Sequence, residues 1–129
     1  MNTFISSSSA ETRKFAKALA KKFAHRGSHA ARRTHALVIA LQGELGSGKT
    51  TFVQGFFRGL GLRRRAMSPT FILFRRVALH DTRYYKNLYH VDCYRIKTPR
   101  ELLRHGFAGI LRDPTHIVLI EWADKVHRI

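Results

Sequence analysis

Residues 36–61, ALVIALQGELGSGKTTFVQGFFRGLG, join an apolar run, a glycine-rich loop and an amphipathic segment without a break. ALVIAL is short and continuously apolar, as expected of a central strand buried on both faces. In the segment after the loop, Phe52, Val53, Phe56, Phe57 and Leu60 recur on one helical face, and Gly61 is placed to close the helix. Between them, Gly43, Gly48, Lys49 and Thr50 complete the pattern G-x-x-x-x-G-K-[ST], with Gly46 as an additional glycine. This order wraps a backbone around phosphate oxygens. Glycines allow close approach, successive N–H groups and the helix start donate to the anion, Lys49 reaches the β and γ phosphates, and the Thr50 hydroxyl is a Mg²⁺ ligand. A chain with this stretch is expected to be an α/β protein with a mostly parallel sheet.

The remaining segments suit that frame. SSAETRKFAKALAKKFAHR has Ser8 and Glu11 in capping-box spacing, and Phe15, Leu19 and Phe23 recur at helical spacing with a basic face opposite. SPTFILFRRVAL reads as a loop leading into a strand, and HDTRYYK connects it to NLYHVDCYR, so the two strands form a hairpin. TPRELLRHG reads as a short helix with Thr98 as N-cap, Pro99 at the first helical position, Glu101 at the third and Gly106 closing it. HIVLIEW is another apolar run ending in an acid, Glu121.

Two carboxylates then call for explanation. Glu121 ends a hydrophobic strand, as the second acid of a phosphate-loop site does, and ligands of open parallel sheets collect at the carboxyl ends of strands. Asp92 lies inside the strand expected over residues 87–95, where alternation puts Tyr89, Val91 and Cys93 on one face and Leu88, His90, Asp92 and Tyr94 on the other. A carboxylate in such a place requires a cationic partner. Mg²⁺ or its first-shell water is one, and an arginine such as Arg95 is another.

Composition narrows the partners. Of 129 residues, 24 are Lys or Arg against 8 acidic, a formal charge of +16, which suits a polyanion or a solvated basic surface. Cys93 is the one cysteine, so no intrachain disulfide exists and a reducing compartment is expected. MNTFISSSSA lacks the basic and apolar regions of a secretory signal, and no apolar run approaches the roughly 20 residues that cross a bilayer. A cytoplasmic protein of one domain, residues 1–129, is expected.

GELGSGKTTFVQGFFRGLG, SPTF at 68–71, YHVDCYR, ELLRHGF and IEWADK, in this order, resemble the motifs of the TsaE (YjeE) family, bacterial P-loop ATPases needed for threonylcarbamoyladenosine in tRNA. The resemblance implies a P-loop NTPase fold of three layers, with a mostly parallel sheet and an antiparallel hairpin. It implies ATP and Mg²⁺ as cofactors. The expected nucleotide site is Gly43, Glu44, Leu45, Gly46, Ser47, Gly48, Lys49, Thr50 and Thr51, with Thr50, Glu121 and Asp92 around the metal and Asp92, Lys49 and Glu121 in the chemistry. TsaB and TsaD are the implied protein partners, with tRNA reached through them or directly from the basic surface. Two departures stand out: ILFRR puts Arg75 where the family usually has a glutamate, and family members usually continue for some tens of residues past the tryptophan, adding strands.

The expected activity is hydrolysis of Mg-ATP that supports turnover of the TsaB–TsaD pair. Two rivals share the loop. A small-molecule kinase needs an acceptor pocket and a lid, for which LRRRAMSPT is the one available segment, and a nucleic-acid-binding module would keep the loop as a relic.

Overall fold

In the computed structural model, residues 3–25, 32–44, 46–63 and 73–126 are described. The order is α1 (Ser9–His25), β1 (Leu37–Leu41), α2 (Lys49–Gly59), β2 (Phe74–Ala78), β3 (Asn87–Asp92), α3 (Arg100–Arg104), α4 (Phe107–Arg112), β4 (His116–Glu121) and a 3₁₀ turn, Ala123–Val126. The strands form one sheet in the order β1-β4-β3-β2. β1, β4 and β3 run parallel, and β2 returns antiparallel to β3 as the expected hairpin.

Two clusters divide the core by sheet face. Leu37, Leu88, Ile117 and Leu119 face α1 and α2, while Val91, Cys93, Val118 and Ile120 face α3, α4 and the 3₁₀ turn. This is the three-layer arrangement, and the alternation read in β3 holds from Leu88 to Asp92. Beyond it the strand ends. Asp92 Oδ1 accepts the Tyr94 N–H at 3.0 Å and Ile96 N–H bonds Cys93 O, so residues 93–96 turn and Tyr94 is exposed instead of continuing a strand face.

Among the described residues the strand leading into the glycine loop is not central: β1 pairs with β4 alone and lies at the sheet edge, with Val38 44% exposed, while β4, buried at all six residues, lies between β1 and β3. An apolar run reports that a strand is apolar, and cannot report which strands flank it. Ile117, Val118 and Leu119 are fully buried, and each such side chain contributes roughly 1.5–3 kcal/mol.

α1 is capped as its sequence predicts, with one shift. Glu11 N–H bonds the Ser8 hydroxyl at 3.1 Å, but the Glu11 carboxylate reaches back to Ser7 N–H at 2.7 Å and to the Ser7 hydroxyl. Those bonds hold the Glu11 carboxyl below its usual range. The buried stripe of α1 is Ala16, Ala20 and Ala24, with Leu19 and Phe23 only partly buried beside it and Phe15 stacked on Phe4 instead. The reason lies on α2. A Cβ on Gly55 would stand 2.4 Å from Arg13 O, and one on Gly59 would stand 2.4 Å from Lys17 O and 2.6 Å from Ala20 Cβ. The two helices touch backbone to backbone, so the contact takes alanines and leaves the phenylalanines at its flanks.

α2 ends as expected. Gly61 is left-handed at φ 78°, and Leu62 N–H returns to Phe57 O at 3.0 Å. α3 begins one residue later than its sequence suggests, at Arg100, and the Thr98 hydroxyl does not cap it; the Glu101 carboxylate instead bonds the N–H groups of Lys97 and Thr98. Gly106 closes α3 at φ 79° and opens α4, a helix too short to leave a periodic signal. Among the described residues no helix is long and apolar enough to cross a membrane.

Candidate functional site at the carboxyl ends of three strands

Parallel strands share a direction, so the residues that succeed β1, β3 and β4 must emerge at one end of the sheet. β1 delivers the glycine loop, β3 delivers Asp92 and β4 delivers Glu121. Register makes the convergence close: Leu41 pairs with Glu121, and Glu121 pairs with Asp92. All three residues belong to the sheet face that carries α1 and α2.

The loop returns tightly. Gly43 sits at φ 144°, and a Cβ there would meet the Ser47 hydroxyl at 2.5 Å; Gly48, at φ 97°, is the N-cap of α2. Ser47 N–H bonds Glu44 O at 3.1 Å. Lys49 folds across its own loop, with Nζ donating to Gly43 O at 2.5 Å, Glu44 O at 2.7 Å and the Ser47 hydroxyl at 3.1 Å. The same ammonium stands 4.2 Å above the Trp122 ring. Gly46, Thr50 and Thr51 belong to the same turn and helix start. Leu45, and the SPTF segment at 68–71, lie outside the described residues.

Sequence reasoning gives Trp122 no role in the site, although IEW contains it. It succeeds β4 with φ 57°, a left-handed conformation rare for a bulky residue and costing about 1–3 kcal/mol. That turn brings the ring over Lys49 and against Tyr94, at 5.1 Å between centroids, while Lys125 covers Tyr94 from beyond and donates to Tyr94 O. The strained residue thus ties the end of β4 to the loop lysine and to the turn after β3.

Glu121 is 6% exposed, so it does not end its strand in solvent. Its Oε2 lies 2.7 Å from Nε2 of His90, which is itself 2% exposed and sits two residues before Asp92 on the neighbouring strand. His90 also meets Phe57 of α2 edge to face, with centroids 6.0 Å apart. Sequence reasoning places His90 on the right face but gives it no role, because its partner is 31 residues away and only the parallel pairing of β3 with β4 brings the two together. Asp92 is half-buried and Arg95 is exposed on the turn beyond it.

Thr50, Asp92 and Glu121 offer a hydroxyl and two carboxylates, an all-oxygen set of the kind Mg²⁺ takes. Asp92 and Glu121 are register partners on one face, where like charges repel unless a cation or donors offset them. These residues fit Mg²⁺. An apolar groove of about 220 Å³, lined by Val38, Ala40, Phe107 and Leu111, lies on the other face and contains none of these site residues. Cys93, beside Asp92, is buried, and burial pushes its thiol up to about 12.

Comparisons with known proteins show the family. The family model described as threonylcarbamoyl adenosine biosynthesis protein TsaE matches residues 6–129. Proteins named tRNA threonylcarbamoyladenosine biosynthesis protein TsaE are similar to the chain: that of Haemophilus influenzae is 36% identical over 90 residues, covering 70% of this chain and 54% of that protein. That of Synechocystis sp. is 47% identical over 95 residues, covering 71% and 57%. The crystal structure of Bacillus subtilis YdiB superimposes with a TM-score of 0.60 at 29% identity, covering 95% of this chain and 64% of that one. The matched region thus spans a little over half of those two curated relatives.

Proposed function

The chain belongs to the TsaE family of threonylcarbamoyl adenosine biosynthesis proteins, and from that premise we propose that it is a Mg²⁺-dependent ATPase acting in the cytoplasm. Its hydrolysis would support turnover of TsaB and TsaD as they form threonylcarbamoyladenosine on tRNA. The observation that carries this reading is the delivery of the glycine loop, Asp92 and Glu121 to one end of the sheet by three parallel strands.

Phosphoryl transfer to water needs positioning and charge stabilisation more than covalent help. The loop amides of Gly46, Ser47, Gly48, Lys49, Thr50 and Thr51, together with the start of α2, would bind the phosphate oxygens, with Gly43, Glu44 and Leu45 forming the loop's approach. The Lys49 ammonium would exchange the carbonyls of Gly43 and Glu44 for β and γ phosphate oxygens. Thr50 and Glu121, with Asp92 beside them, would hold Mg²⁺, which would supply positive charge to offset that of the phosphates. Asp92 would orient the attacking water or accept its proton. Arg95, exposed on the turn after β3, is a group in cis for the transition-state charge, and a partner-supplied group is the other source.

Along α1, Arg13, Lys14, Lys17, Lys21 and Lys22 are exposed, which supports direct contact with tRNA as an addition to this reading. The test combines binding and turnover. Trp122, the one tryptophan in the chain, lies over Lys49, so its fluorescence should change when ADP or ATP displaces that lysine. Hydrolysis should be slow alone, faster with TsaB, TsaD and tRNA, and lost in Asp92→Ala. Nucleotide binding that survives Lys49→Ala unchanged, or hydrolysis indifferent to both partners and Asp92, refutes the reading.

A further inference from the structure

We propose that His90 is a positioning residue for Glu121: its ring fixes the carboxylate that serves the metal and couples it to the helix after the phosphate loop. The inference rests on the reading of Glu121 as a metal-site acid and assigns a residue that reading leaves without a role.

Three observations carry it. The bond between His90 Nε2 and Glu121 Oε2 is 2.7 Å, and the two side chains are 3% and 9% exposed, so water does not compete for it. A glutamate at the end of a strand has three side-chain torsions, and a buried bond to one oxygen restricts them and so limits where the other oxygen can point. With Glu121 ionised, the ring must present Nε2–H, because a carboxylate only accepts. The ring in turn is held on the α2 side by Phe57, edge to face at 6.0 Å, and its own strand is locked between β4 and β2, where Arg75 is its register partner. The path from the loop helix to the acid is therefore Phe57, His90, Glu121. It crosses from α2 to β3 to β4 without leaving the core.

A histidine that merely fills space would behave differently. Outer partners of metal-holding groups change metal affinity by about 10–100-fold when removed, while leaving binding that does not involve the metal in place. The experiment is calorimetric titration of the full chain with ADP, once with chelator and once with excess Mg²⁺, for wild type, His90→Leu, His90→Gln and His90→Asn. The gain in ADP affinity from Mg²⁺ is the quantity read. His90→Leu should lose about tenfold of that gain and keep its metal-free affinity within about twofold. Gln, whose amide N–H reaches about as far as Nε2, should retain most of the gain, and Asn, which is too short, should not. If the Leu protein does not fold, the Gln and Asn pair decides. Equal gains in Gln and Asn, or equal losses with and without Mg²⁺, reduce His90 to packing and overturn the inference alone. Absence of any Mg²⁺ gain in wild type removes the ATPase reading and the inference with it.

Discussion

Alanine in place of glycine inside a helix ordinarily stabilises, by about 0.8–1 kcal/mol. Gly55→Ala in α2 should do the opposite. A methyl there would stand 2.4 Å from Arg13 O, 2.8 Å from Arg13 Cα and 3.0 Å from Arg13 C, all backbone atoms of α1 that no side-chain rotation can move aside. To restore ordinary contact, α1 must retreat by nearly 1 Å along the seam where Ala16, Ala20 and Ala24 are buried. A gap of about 0.5–1 Å forfeits a quarter to a half of each contact's attraction, and overpacking of this kind costs about 1–3 kcal/mol. With the obstacle rigid, the upper end applies; after the propensity gain, Gly55→Ala should destabilise by about 2 kcal/mol, lowering Tm by roughly 8 °C. Gly109 in α4 supplies the control, since a Cβ there meets nothing within 4 Å. Gly109→Ala should therefore stabilise by about 0.5–1 kcal/mol. Urea and thermal unfolding of the two variants test the argument. A neutral or stabilised Gly55→Ala, or the same sign at both sites, would refute the claim that α1 and α2 meet backbone to backbone.

Two further outcomes concern titratable groups. With its thiol raised to about 12 by burial, Cys93 is ionised at pH 8 to about one part in ten thousand, so alkylation should be roughly a thousandfold slower than for a free thiol; mass spectrometry of iodoacetamide labelling in buffer and in urea checks this, and similar rates would contradict the buried placement. Asp113 is held below the usual carboxylate range by the Thr115 hydroxyl at 2.6 Å and N–H at 2.8 Å, and Glu11 by its bonds to Ser7. A depressed carboxyl adds stability above its unfolded pKa and loses it as pH falls through the folded value, so Tm should drop below about pH 4. Asp113→Asn and Glu11→Gln should shallow that drop, by little because both side chains face solvent, and Tm profiles identical to wild type would count against these bonds.

Much of the site is legible in the sequence because it is local. The loop from Gly43 to Thr50 and its flanking strand and helix are contiguous, and Glu121 closes an apolar run. The alternation that sends His90 and Asp92 to one face of β3 needs only the period of a strand. Pairing is the property that sequence does not carry. Nothing in ALVIAL tells that β1 lies at an edge, and nothing in LYHVD tells that His90 meets an acid beyond α4. Side-chain size misleads in α1, where the largest residues, Phe15, Leu19 and Phe23, suggest the contact face and the alanines make it. Trp122 illustrates a third limit: its identity is plain, but the left-handed turn that lays it over Lys49 is a backbone property with no compositional sign.

The central place of β4 also sets an order of assembly. Among the described residues β1 and β3 are joined to one another only through β4, and β4 comes last of the four described strands. On the ribosome, α1, β1 and α2 can pack as one piece and the β2–β3 hairpin can form as another, yet neither can dock until residues 116–121 have been made. At about 5–20 residues per second that wait lasts on the order of seconds. During it the inner edge of β1 and the parallel edge of β3 stand open to wrong pairing. The loop after β1, Asp92 and Glu121 would thus be brought together in one step, when β4 slides between two waiting edges.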